Sequence, residues 1–153
     1  MLELLKVSVP KRVKVETDLD PKLPPVRANP AQIRQIVMNL FYNASEAIGD
    51  GVGVIHVIAR QVKVINPEGI GTNDYVQLDV ADTGRGMTPE VQARVFDAFF
   101  STKSGSGHGL GLAAVHGIVE SLRGTIRVAS TPGKGTRFEI SLPCEKHMAA
   151  RSG

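Results

Sequence analysis

The strongest constraint on the fold of this chain is the alternation of its last strand-like segment. Over residues 136–142, Thr136, Phe138, Ile140 and Leu142 alternate with Arg137, Glu139 and Ser141. A period of two with one apolar side predicts a half-buried β-strand. Residues 12–19 repeat the pattern, with Val13, Val15, Thr17 and Leu19 on one side and Arg12, Lys14, Glu16 and Asp18 on the other. In residues 74–82, Val76, Leu78 and Val80 share a side. Residues 52–65 are rich in β-branched side chains and read as a strand with room for a bulge. Residues 125–130 form a further strand, separated from the last by the turn residues T-P-G-K-G.

Helical spacing interrupts these strands. Ile33, Val37, Leu40, Phe41, Ala44 and Ile48 form one stripe. Asn29 is placed to cap that helix, Pro30 suits its first position, and Gly49 and Gly51 end it. Thr88-Pro89-Glu90 opens a short helix running to about Ala98. A third helix runs from about Gly109 to Leu122, with Leu112, Val115, Ile118, Val119 and Leu122 on its buried side and Gly124 closing it. Residues 20–25, 66–73 and 99–108 are Pro-, Gly- or Ser-rich connections. Strands joined partly by hairpins and partly through helices predict the α+β class. The arrangement is a two-layer α/β sandwich, a mixed sheet of about five strands with about three helices on one face.

Composition narrows the function. At 153 residues, 42% hydrophobic and 22% charged, the chain suits one globular domain and excludes disorder over most of its length. The 18 Lys and Arg against 15 Asp and Glu leave a net charge of +3. These basic residues are scattered and form no stripe, which argues against nucleic acid as a partner. No apolar run is long enough for a transmembrane helix, and Met1 to Lys6 does not resemble a signal peptide, so no direct membrane contact is expected. Cys144 is the only cysteine, which rules out an internal disulfide or a CxxC zinc site and makes the cytoplasm the default compartment.

Four features carry chemistry. Asn39 and Asn43 lie four residues apart on the long helix, beside its core stripe, and Glu46 continues their row. Amide oxygens there could ligate Mg²⁺, although two helical asparagines are more often surface residues. In D-T-G-R-G-M, residues 82–87, Asp82 shares the parity of Val76, Leu78 and Val80 and so faces the core side. A carboxylate there needs a donor, such as an adenine amino group. Gly84 and Gly86 would let a flat ring approach the backbone, but read alone the segment is more often a tight turn. In G-S-G-H-G-L-G-L, residues 105–112, glycines at a helix start suit phosphate, or simply form a linker. The run matches neither a Walker loop nor a Rossmann fingerprint. Thr136 has the inward parity of Phe138 and could bond a purine edge or Asp82, or merely favour a strand start.

Taken in order, N-L-F-Y-N-A-S-E-A, D-T-G-R-G-M, V-F-D-A-F-F-S-T-K, G-H-G-L-G-L and G-T-R-F-E-I-S-L-P resemble the N, first glycine, phenylalanine, second glycine and final Gly-Thr boxes of bacterial sensor histidine kinases. The resemblance runs from about Val13 to Pro143, and A-A-V-H-G-I-V with S-T-P-G-K-G-T looks most like the nitrogen-regulator type and its hybrid relatives. It implies a Bergerat fold that binds ATP and Mg²⁺. Asn43 would ligate the metal, with Asn39 assisting. Asp82 would accept from the adenine amino group, with Gly84 and Gly86 at the ring and Thr136 at the purine pocket. Gly107, His108, Gly109, Leu110 and Gly111 would belong to the phosphate-binding box, Phe96 to His108 to a lid, and Lys103 would reach the γ-phosphate.

The departures are informative. His108 replaces a usual threonine, and Asn29 a frequent aspartate. None of His56, His108, His116 and His147 stands in a phosphoacceptor context. The resemblance therefore implies no catalytic residue within this chain. It implies a linker over residues 1–12 from a dimerisation and phosphoacceptor hairpin, an ATP-binding domain over 13–143, and a flexible tail over 144–153. The implied partners are that hairpin and a downstream response regulator or receiver domain. Two other functions remain open. ATPases of the same fold, as in gyrase, mismatch-repair and chaperone relatives, place a glutamate where Asn39 stands, and an amide cannot take a proton from water. A regulatory nucleotide-binding module without catalysis would not require intact glycine boxes.

Overall fold

The computed structural model describes residues 11–23, 26, 28–65, 72–97 and 111–144. Its five strands are β1 (Val13–Leu19), β2 (Gly53–Ile65), β3 (Thr72–Asp82), β4 (Thr125–Thr131) and β5 (Gly135–Pro143). They form one mixed sheet in the order β1-β2-β3-β5-β4. Three helices are described, α1 (Pro30–Ile48), α2 (Pro89–Arg94) and α3 (Gly111–Ser121). Only β1 and β2 are parallel. A parallel pair needs a long crossover, and α1 supplies it. The other pairs are antiparallel, and β2 runs against β3 without a break from Ile55 opposite Asp82 to Ile65 opposite Thr72, so β2 carries no bulge.

The start of α1 follows from its sequence. Asn29 Oδ1 accepts from the Ala31 N–H at 2.8 Å, and Gln32 Oε1 accepts from the Asn29 N–H at 3.2 Å. This capping box, with Pro30 behind it, satisfies N–H groups that no helical carbonyl can reach. Gly49 ends the helix at φ +69°, its N–H donating to the Ser45 carbonyl. The buried stripe is Ile36, Val37, Leu40, Phe41 and Ala44. Ile33 and Ile48 only flank the core, and Ile36 takes a central place that the sequence stripe omitted. These side chains meet Val115 and Val119 of α3 and the inward residues Ile55, Val57, Val80, Phe138 and Ile140. Leu40 is completely buried, and truncating such a residue to alanine costs about 2–5 kcal/mol.

Three expectations need correction. The apolar side of β1 is buried only at its start: Val13 is covered, Val15 half-covered, and Thr17 and Leu19 are exposed. β1 is an edge strand whose far end is left exposed. α2 stops at Arg94 rather than near Ala98. Val95 and Phe96 leave the helix to enter the core, and short i to i+3 bonds, Val95 N–H to Gln92 and Asp97 N–H to Arg94, replace its continuation. At the end of α3 it is Arg123, not Gly124, that adopts the left-handed conformation, at φ +61°. Gly124 is needed for space, since a Cβ there would lie 2.4 Å from the Ser141 carbonyl oxygen. Of the linker expected over 1–12, residues 1–10 lie outside the described residues, as do 66–71 of the loop expected over 66–73, whose last two residues belong to β3, and 145–153 of the tail expected over 144–153.

Candidate functional site

β3 and β5 bring Asp82 directly opposite Thr136. Both are inward-facing and buried, at 7% and 6% exposure, as their parity in the sequence requires. The Asp82 carboxylate accepts from the Gly84 N–H at 2.8 Å. Desolvation dominates its titration and pushes its pKa up from 3.8 to about 6, against the opposing pull of the Gly84 and Thr136 backbone and of the Arg85 charge. A buried carboxylate held near the core at this cost is the type of group found at functional sites.

The segment after Asp82 is bolted to two neighbours. On one side Gly84 lies on α1, where a Cβ would come within 2.5 Å of the Ala47 carbonyl carbon, and the Arg85 N–H donates to the Ala47 carbonyl at 3.0 Å. On the other side Gly86, at φ +71°, leaves no room for a Cβ, which would sit 2.1 Å from the Thr131 carbonyl oxygen. The Gly133 N–H donates to the Arg85 carbonyl at 2.7 Å and the Met87 N–H to Ser130 Oγ at 2.8 Å. Gln92 of α2 donates to the Ser130 carbonyl at 3.0 Å. Ser130 Oγ in turn donates to the Gly135 carbonyl at 2.9 Å and lies 2.7 Å from Thr136 Oγ1. The sequence reading gave Gly84 and Gly86 the task of sparing room for a ring. In the structure each faces protein backbone, and close packing accounts for both.

α1 supplies the second wall. Asn39, half-buried, donates its amide N–H to the Gly111 carbonyl at 3.2 Å and so ties α1 to the first residue of α3. Asn43 is half-buried one turn on, and Ala47 another turn on touches Gly84. One edge of α1 therefore runs from the start of α3 to the segment after Asp82, with the two asparagines along it. Glu46 does not extend this row as an independent group. Desolvation and then the Glu46 carboxylate raise the pKa of the Tyr42 hydroxyl, which bonds to it. Phe96 stacks on His116 at 5.3 Å and meets Phe138 edge-on at 6.2 Å, and His116 also pairs with Glu120 at 3.4 Å. Lys103, Gly107, His108, Gly109 and Leu110 lie outside the described residues. No group of three or more His, Cys, Asp or Glu among the described residues could hold a metal ion.

Sequence reasoning missed Asp79. Its parity is outward, yet it is completely buried. Arg137 pairs with it from β5, and Gln77 donates to both its oxygens at 3.0 and 3.2 Å. The bond to Asp79 is the largest cause of a raised Arg137 pKa. The available signal was a charge of each sign on the outward sides of two strands, which matters only once those strands are known to be neighbours.

A mixed five-stranded sheet, helices packed on one face, and a buried aspartate opposite a threonine at the sheet's inner edge define a class. Residues 28–146 match the family of histidine kinase-, DNA gyrase B- and HSP90-like ATPases, and the chain belongs to that family. Among its relatives are sensor histidine kinases. It is 38% identical over 133 residues to sensor histidine kinase ZraS of Escherichia coli (strain K12), an alignment covering 87% of this chain and 26% of that protein. It is 36% identical over 152 residues to sensory histidine kinase/phosphatase NtrB of Rhizobium meliloti (strain 1021), covering 96% of this chain and 39% of that one. The chain thus spans well under half the length of these curated relatives. Its fold matches the mycobacterial sensor histidine kinase MprB with a TM-score of 0.74 at 26% identity, over 94% of this chain and 90% of that chain. Full-length ShkA, solved in complex with AMPPNP, matches equally well at 0.74 and 27% identity, over 94% of this chain and 29% of that chain.

Proposed function

We propose that this chain is the catalytic ATP-binding domain of a protein-histidine kinase in two-component signalling. It binds Mg-ATP and presents the γ-phosphate to a histidine on a separate helical hairpin domain, from which a response regulator or receiver domain is phosphorylated. The reading places the work in the cytoplasm; among the described residues no helix is long and apolar enough to cross a membrane.

The observation that carries the proposal is Asp82, an acceptor-only group kept in a desolvated place where an adenine amino group could satisfy it. Thr136 lies across from it, and the Gly84–Met87 segment, fixed to α1 and to the β4–β5 turn, forms the rigid border of the base site. Asn39 and Asn43 border the phosphate side. With the Asn39 nitrogen engaged by the Gly111 carbonyl, its oxygen is the end presented elsewhere. Oxygen ligands of this kind fit Mg²⁺, which keeps several waters and takes few protein ligands. When bound, the metal neutralises phosphate charge. Gly107, His108, Gly109, Leu110 and Gly111 would hold the phosphates with backbone N–H groups at the start of α3, and Lys103 would reach the γ-phosphate. Phosphoryl transfer asks mainly for such positioning and charge stabilisation.

The ATPase alternative needs a general base for water. Asn39 stands where those enzymes would use a glutamate, and its amide has no proton-accepting role at neutral pH. The proposal is tested by fusing a cognate phosphoacceptor hairpin to the chain and following label from γ-labelled ATP. Acid-labile phosphohistidine on the hairpin is the expected result. Intact ATP binding with no transfer would reassign the chain as a regulatory nucleotide-binding module.

A further inference from the structure

Ser130 makes three short polar contacts, and together they determine where two hydroxyl protons lie. The Met87 N–H donates to Ser130 Oγ at 2.8 Å, so the first lone pair of that oxygen is used. The contact between Ser130 Oγ and the Gly135 carbonyl, at 2.9 Å, is a hydrogen bond only if Ser130 donates. A serine hydroxyl has one proton. The remaining contact, 2.7 Å to Thr136 Oγ1, is then a hydrogen bond only if Thr136 is the donor. This assignment alone makes all three contacts favourable, and it saturates Ser130 with one donated and two accepted bonds.

The consequence falls on Thr136. With its proton committed to Ser130, its hydroxyl can only accept from anything in the space beside Asp82. Asp82, once ionised, is also acceptor-only. Both inward groups at this end of β3 and β5 then ask for donors. The two N–H groups of a 6-amino purine provide them. A 6-oxo purine presents a carbonyl oxygen instead, which neither acceptor can satisfy, and its N1–H can serve only one of the two, so a polar group is left unsatisfied in a desolvated place, which is heavily penalised.

We propose that Ser130 is a positioning residue that fixes Thr136 as a hydrogen-bond acceptor and thereby sharpens the selection of 6-amino over 6-oxo purine nucleotides. The proposal rests on the reading of Asp82 and Thr136 as the base site. Ser130 acts through Thr136 and through the Met87 backbone. Removing its hydroxyl frees the Thr136 proton to rotate toward the base and donate to a 6-oxo group.

The test is calorimetric affinity for ATP and for ITP, which exchange an amino donor for a carbonyl acceptor at position 6 and an acceptor for a donor at N1. In the Ser130→Ala variant the preference for ATP over ITP is expected to narrow on the order of tenfold, the equivalent of one lost hydrogen bond. Ser130→Thr, which keeps a hydroxyl, is expected to restore the preference. Should the alanine variant not fold, Ser130→Cys, whose thiol is a poor donor and acceptor, serves for the same comparison. Equal loss of affinity for both nucleotides would overturn the proposal and leave Ser130 a structural residue, while the base site stands. A wild-type protein that binds ATP and ITP equally would overturn the base-site reading and this proposal with it.

Discussion

At the residue scale the molecule is organised around one carboxylate in an unfavourable place. Asp82 titrates near 6 in the folded chain against 3.8 in its ordinary state. A raised folded pKa means that the folded state holds the proton more tightly, so the contribution of Asp82 to stability is fully present below about pH 4 and is lost as pH rises through 6. The full shift corresponds to about 3 kcal/mol lost above that window. Asp82→Asn, which keeps an acceptor for the Gly84 N–H, should therefore raise the stability of the nucleotide-free protein at pH 7.5 by about 1–3 kcal/mol, and denaturant unfolding across the acid range should show little gain below about pH 4, roughly half of it at pH 5 and all of it above about pH 7. The same substitution should cost roughly 1.5–3 kcal/mol of ATP affinity, the range for a hydrogen bond to a charged group. Wild-type affinity should also fall below pH 6 as Asp82 is protonated, and the amide variant should lose that component. Unchanged ATP affinity in the variant would remove Asp82 from the site. Asn43→Ala is expected to weaken Mg-ATP binding more than metal-free ATP binding, compared by calorimetry with and without a chelator. Equal losses would mean that Asn43 shapes the pocket without ligating the ion.

At the scale of elements, the β4–β5 turn, the segment after β3 and the end of α1 behave as one joint. Gly86 is left-handed at φ +71° and has the Thr131 carbonyl where a side chain would begin, while Gly135, at φ +101°, has the Asp82 carbonyl 2.0 Å from a notional Cβ. Gly86→Ala is expected to destabilise the protein by about 2–4 kcal/mol, combining backbone strain with a displaced turn, and thermal unfolding measures it. Gly133→Ala, at φ +78° with open space around its Cβ, should cost only the smaller conformational penalty of about 1 kcal/mol. This joint also shows what was readable in advance. The inward placement of Asp82 and Thr136 followed from period-two alternation alone, because parity in a strand needs no knowledge of the partner strand. The start of α1 followed from Asn29-Pro30, and Gln32 three residues beyond the cap would have completed the capping box. The reasons for Gly84 and Gly86 were not readable, because the atoms that exclude a side chain belong to Ala47 and Thr131, both distant in sequence. Asp79 escaped notice for the same reason, its partner Arg137 coming from β5. The early end of α2 depended on Val95 and Phe96 finding the core, a tertiary effect that overrode local propensity.

At the scale of the whole molecule, α1 and α3 bury one face of the sheet, and the ends of the neighbouring strands β3 and β5 that carry Asp82 and Thr136 lie beside α1. That arrangement suits a nucleotide held in position, with the amide of Asn39 rather than a carboxylate where an ATPase would need a base for water. A kinase domain that depends on a histidine supplied elsewhere needs no more, whereas an ATPase does. Tethering normally supplies the effective concentration for such a reaction, so transfer between separate domains should be slow but detectable. The most direct measurement is therefore the fate of γ-labelled ATP with the chain alone and with a cognate phosphoacceptor hairpin added in trans. The account predicts negligible phosphate release and no self-labelling by the chain alone, with label accumulating on the hairpin histidine when it is present. Brisk ATP hydrolysis by the isolated chain, abolished by Asn39→Ala, would contradict it.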